Sequence, residues 1–203
     1  MVQIHVNQTP EEQFLYECPC TSRIDSLTRD ITQIYNLQSK IQRLVLRVEE
    51  RLLANSKDCL PDAAIALKRA LSEAKTYVSK DQVLHKKPLS PHVLKDHIQN
   101  IEREIMINQS VAFLDSDLLQ QLSLDVPDTD LLHEDITQLW WAGKELMRDK
   151  QLCDYVGKNE KTKIVVRLHP PGSGRTQHSV SHIVEQQWTV SIRALDLLTV
   201  LIW

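Results

Sequence analysis

A chain of 203 residues, 42% hydrophobic and 25% charged, has the balance of a water-soluble globular protein with one core, or one core and a small second lobe. Its net charge of −3, with mixed signs, excludes a strong pull toward nucleic acid or anionic lipid. No run of about 18 apolar residues occurs and Met1–Val6 lacks the blocks of a signal peptide, so neither a transmembrane helix nor secretion is expected.

Val2 to Val6 alternates with Val2, Ile4 and Val6 on one face, which predicts a strand. Asn7–Pro10 is a turn, and Gln13–Glu17 a second strand. A lone hairpin is marginal and needs a cover or further strands. Thr21 or Ser22 can cap the helix that follows. Its apolar stripe, Ile24, Leu27, Ile31, Ile34, Ile41, Leu44, Val45, Val48 and Leu52, recurs at spacings of mostly three and four. Such length exceeds what one hairpin covers, so its distal half should pack on other helices. Hairpin then helix is how a ubiquitin-like fold begins, but its further strands are not evident next.

A break at Asn55–Asp62 precedes a second helix over Ala63–Val83. Ser90 caps a third, with Pro91 at its first position, reaching about Ile107. Asn108–Pro127 reads as a short helix or clasp. Asp135–Leu168 is the organising stretch: a helix from Leu131 to about Tyr155, a glycine stop, a charged turn and the strand Ile164–Leu168. That strand would suit the N-terminal hairpin as a third member. His169–Arg175 has linker composition. Trp188–Trp203 is apolar and reads as a strand, a short helix packing back, or a poorly ordered tail.

Signs of chemistry are sparse. Only four glycines occur, none before Gly143, which removes a Walker loop or Rossmann fingerprint from everything upstream. Gly157-Lys158 fails as a phosphate loop because Asn159 replaces the Ser/Thr and no glycine lies five residues upstream. Cys18, Cys20, Cys59 and Cys153 lack zinc spacing and read as thiols. His92 and His97 are five apart; His178 and His182 share a helical spacing without a third ligand. No G-x-S-x-G or comparable nucleophile signature occurs. No enzyme, cofactor or metal site is therefore expected.

Surfaces carry what remains. On a helix, Trp140 would join the stripe of Ile136, Leu139, Gly143 and Met147 while Trp141 sits at its boundary. Core packing for both, or a partner anchor, are the two readings. Lys158-Asn159-Glu160-Lys161-Thr162-Lys163 is a basic exposed turn. The candidate interaction surface is Trp140, Trp141, Tyr155, Lys158, Asn159, Glu160, Lys161 and Lys163.

Two segments, Leu139–Ala142 (Leu-Trp-Trp-Ala) and Asp154–Ile164 (Asp-Tyr-Val-Gly-Lys-Asn-Glu-Lys-Thr-Lys-Ile), closely resemble the hallmark of the cilia- and flagella-associated protein 298 family, also called Kurly. Met1-Val2, Gln13–Leu15, Ile34–Asn36, Gln42–Leu44 and Ser72–Lys75 resemble it as well, so the likeness runs with gaps to about Leu168. Two departures stand out: a shortened segment at about Ala54–Ala64, and the apolar Trp188–Trp203 where the family continues as a charged helix. The resemblance implies a non-enzymatic role in motile cilia: outer dynein arm assembly, cilium positioning and planar polarity. It implies dynein arm assembly factors or axonemal dynein components as partners, with microtubules as a further one. No nucleic acid or membrane partner is expected. The implied location is the cytoplasm, cilium and basal body.

The expected fold is α+β: a ubiquitin-like hairpin and long helix over 1–53, a predominantly helical region over 54–168 ending in a strand that returns to the N-terminal sheet, and a linker with an atypical apolar tail over 169–203. An adaptor for arm assembly is the leading reading; a structural axonemal component and an enzyme of unrecognised type are the others.

Overall fold

The computed structural model describes residues 1–54, 62–107 and 131–170. Alternation makes β1 (Val2–Asn7) and β2 (Gln13–Cys18) an antiparallel hairpin with Val2 opposite Cys18 and Val6 opposite Phe14. β5 (Lys163–His169) lies parallel to β1, with Ile4 opposite Ile164 and Val6 opposite Val166. The Gln8 side-chain amide prolongs that ladder, donating to the Leu168 carbonyl and accepting from its N–H, both at 2.8 Å. β3 (Gln138–Trp141) pairs antiparallel with β5 on its other side and with the two-residue β4 (Lys144–Glu145). The strand order is β2-β1-β5-β3-β4, a mixed sheet in which the parallel β1–β5 pairing joins the β1–β2 hairpin to the β3–β4 hairpin. The strands beyond the opening hairpin follow the helical segments in sequence.

α1 (Ile24–Ala54) has the predicted stripe, and every member from Ile24 to Val48 is buried. Its first half lies in one apolar cluster with Val2, Ile4, Val6, Phe14, Leu139, Ile164, Val166 and Leu168. Its second half joins α2 (Asp62–Val78) and α4 (Pro91–Ile107) in a three-helix bundle, through Leu67, Leu71 and Ala74 on one side and Ile98, Ile101 and Ile105 on the other. Burying each such Leu or Ile contributes about 1.5–3 kcal/mol, so α1 serves as the shared wall of sheet and bundle. Helix and sheet divide the described residues more evenly than the sequence suggested.

The expected second helix stops at Val78, and a single turn, α3 (Asp81–Leu84), follows. It brings Gln82 to the outer edge of β2. There the Gln82 amide donates to the Gln13 carbonyl at 2.8 Å and accepts from the Leu15 N–H at 3.4 Å, while the Leu89 N–H donates to the Leu15 carbonyl at 2.8 Å. An edge strand that would otherwise present bare backbone is thereby sealed.

The helix expected over Leu131–Tyr155 does not form. Trp141 pairs directly with Lys144 across a two-residue turn in which Ala142 has φ +49° and Gly143 φ +77°. Positive φ at both central positions is the requirement of the tightest hairpin turn, and it reverses the chain where a helix would have continued. A four-residue helix, α5 (Cys153–Val156), is all the helix found between this hairpin and β5. Between β4 and α5 the backbone runs alongside residues 20–25. The first free N–H groups of α1, those of Ile24 and Asp25, donate to the carbonyls of Lys150 (2.9 Å) and Arg148 (3.3 Å). The orphan donors of the helix start thus meet main-chain acceptors. Arg148 reinforces this seam, donating to Asp25 Oδ1 at 2.6 Å and to the carbonyls of Glu134 and Thr137 at 2.6 and 2.7 Å. The expected clasp over Asn108–Pro127 and the apolar tail lie outside the described residues.

Candidate functional site: the outer face of the sheet

Strand alternation sorts the sheet into two faces. Inward lie Ile164, Val166 and Leu168 of β5 and Leu139 of β3, all buried. Outward lie Lys163, Val165, Arg167 and His169, with Gln138 and Trp140 beside them through the pairs Gln138–His169 and Trp140–Arg167. Val165, a β-branched apolar residue, is 53% exposed. The Trp140 ring sits 5.5 Å from the His169 imidazole, tilted by 55°, and its Nε1 donates to Gln138 Oε1 at 3.3 Å. Burial, then the neighbouring Arg167 charge, lowers the His169 pKa and favours the neutral ring.

This corrects the assignment of the two tryptophans. On a helix Trp140 was the core residue; on the strand Trp141 turns inward, paired with buried Val166 and packed against the core, while Trp140 turns outward. Ile136 and Met147, expected in the same stripe, are 50% and 48% exposed. Neighbours in sequence still part company, but by the alternation of a strand.

The remaining predicted residues are placed individually by their partners. The Tyr155 hydroxyl accepts from the Met147 N–H at 2.8 Å and the ring lies under Lys150 Nζ at 5.6 Å, so it supports the connection between β4 and α5. Asn159 builds the turn: its side chain accepts from the Lys161 N–H at 3.0 Å and its carbonyl accepts from the Thr162 N–H and hydroxyl. Glu160 faces the body of the protein, accepting from the Cys20 N–H at 2.9 Å and pairing with the Met1 ammonium at 3.0 Å. The Cys20 thiol and N–H, with that ammonium, hold its carboxyl down to about 2. The same contact raises the Cys20 thiol above its ordinary value. Lys158, Lys161 and Lys163 are exposed, and of these Lys163 lies on the outer face.

Val165, Arg167 and His169 escaped the sequence reading. Their signal was the alternation of charged and apolar residues through Lys163–His169, obscured by the β-branched run Ile164-Val165-Val166.

A second concavity, of about 670 Å³, opens between α2, α3 and α4 and is lined by Tyr77, Gln82, Leu89 and His97 among others. Its convergent groups are engaged structurally. The Tyr77 hydroxyl accepts from the Ser90 N–H at 3.1 Å, the His97 ring lies 5.1 Å from Tyr77, and Gln82 seals β2. Among the described residues no group of three or more His, Cys, Asp or Glu side chains is placed to hold a metal. No helix among them is long and apolar enough to cross a membrane.

Fold and face together define an α+β protein whose sheet presents one tryptophan with basic and apolar neighbours on its outer face. A family model described as cilia- and flagella-associated protein 298 matches residues 137–191, taking in β3, β4, α5 and β5 and running beyond the described residues. The rat protein of that name is 29% identical over 226 residues, covering 86% of this chain and 78% of its own length. The human protein is 28% identical with the same coverage, and that of Drosophila melanogaster 22%. Over most of its length the chain is similar to the cilia- and flagella-associated protein 298 family. No solved structure matches it.

Proposed function

We propose that the chain is a non-enzymatic factor for motile-cilium function, acting in outer dynein arm assembly and in cilium positioning and polarity through protein–protein contacts. Association with cilia and flagella is the property for which the similar family is named. The observation that carries the contact mechanism is the outward Trp140 with Arg167 and exposed Val165 on the middle strands of the sheet. A large aromatic beside an arginine is the composition that dominates binding energy at interfaces. Partners on this reading are dynein arm assembly factors or axonemal dynein components met in the cytoplasm.

A second reading, a structural component on axonemal microtubules, is favoured by the exposed Lys158, Lys161 and Lys163, which suit an acidic lattice. Detergent-and-salt extraction of ciliated cells separates the two. An assembly factor leaves with the cytosolic and detergent-soluble fractions. Retention on salt-washed doublets would contradict the proposal and support the second reading.

A further inference from the structure

A groove of about 290 Å³ lies on the outer face between the sheet and the α3 turn. Leu15, Val83 and Val165 form its apolar floor and walls, and Lys86 and Lys163 stand over it. Among the described residues neither lysine has a carboxylate partner, nor does Arg167 further along β5. Glu17, on the same row of the sheet as Gln3 and Lys163, is engaged by the Gln3 amide at 3.2 Å. The result is a cation–apolar–cation strip, Lys163-Val165-Arg167, about 13 Å from end to end at strand rise.

Lys86 adds an independent observation. It adopts φ +54°, a left-handed conformation that costs a lysine free energy and that glycine or asparagine takes more readily. Its N–H closes α3 onto the Val83 carbonyl at 3.2 Å, so the turn itself needs only backbone. A cation held at a position where the fold would prefer glycine points to a use for its charge.

We infer that this groove docks a short acidic segment of a partner protein, with carboxylates flanking an apolar side chain. The apolar side chain sits on Val165 and Val83; the carboxylates meet Lys86, Lys163 and Arg167. Charge complementarity sets this choice: the lining offers lysines and no acid. The inference rests on the contact reading above and names the chemistry of the partner.

The test uses the full chain and a fluorescent peptide alternating Glu with Leu and Val, beside the same peptide with Gln for Glu. The acidic peptide should bind, bind less as salt rises, and outbind the Gln peptide by about tenfold or more. Lys163→Glu should weaken it by about tenfold. Lys86→Gly should weaken it as well while melting at or above the wild-type temperature, which separates lost charge from lost fold. Equal binding of the two peptides, or unchanged binding by Lys86→Gly and Lys163→Glu, overturns the inference. So does equal competition by phosphatidylserine vesicles, which would make the groove a general anion surface. Failure here leaves the fractionation result standing; a peptide-binding chain retained on washed doublets would instead overturn the assembly reading.

Discussion

Trp140 and Trp141 show how one residue of displacement separates stability from contact. Trp141 packs inward beside Val166, so Trp141→Ala should cost about 3 kcal/mol, near the range for truncating a core aromatic. Trp140 points outward against His169, and Trp140→Ala should cost about 1 kcal/mol. Denaturant melts of the two variants check this, and equal losses would place both rings in the core. Glu160 gives a prediction in pH. Its folded value of about 2 lies below the ordinary 4.5, so its contribution to stability is present above about 4.5 and is lost as pH falls toward about 2. Melting temperature should therefore fall more steeply across that window in the wild-type chain than in Glu160→Gln. Parallel curves would mean that the Cys20 and Met1 contacts add nothing.

At the scale of elements, what was legible followed from clean periods. The β1–β2 alternation, the long stripe of α1, the Ser90-Pro91 start of α4 and the β-branched run of β5 each had one reading, and each formed. The stretch after Leu131 had two. Ile136, Leu139, Trp140, Gly143 and Met147 fall at spacings of one, three and four and imitate a helix. Thr137, Leu139 and Trp141 fall at a spacing of two, and these are the residues the structure turns inward. The deciding signal is the Ala142-Gly143 pair: the helical stripe takes in Gly143, whereas the structure reverses the chain there. Its strain is testable. Ala142→Gly, which frees the left-handed position, should raise stability by up to about 1 kcal/mol, and Gly143→Val should lower it by about 1–2 kcal/mol. A destabilised Ala142→Gly would contradict this account of the turn. The docking of α3 on β2 was not legible because it depends on one glutamine copying a backbone amide across 67 residues of sequence.

In the whole molecule, α1 makes one core of two parts. The sheet places strands from both ends of the described chain side by side, with β1 parallel to β5. The helical segments between them trim the sheet's outer face, covering Leu15 while leaving Val165 and Arg167 exposed and Trp140 half-buried. Candidate contact residues therefore come from β3 and β5, within the span of the family match, and the turn Lys158–Thr162 divides into inward anchors and outward lysines. The sequence could name the right segment by resemblance, but not which of its side chains face out, because facing depends on strand register.

The most direct test is rescue in multiciliated cells that lack the family protein, scoring outer dynein arms by electron microscopy and beating by video. The wild-type chain should restore both, and Trp140→Ala combined with Arg167→Glu, at normal abundance and fold, should restore neither. Full rescue by that double variant would show that the outer face is not the working surface. No rescue by the wild-type chain would contradict the assignment to arm assembly itself.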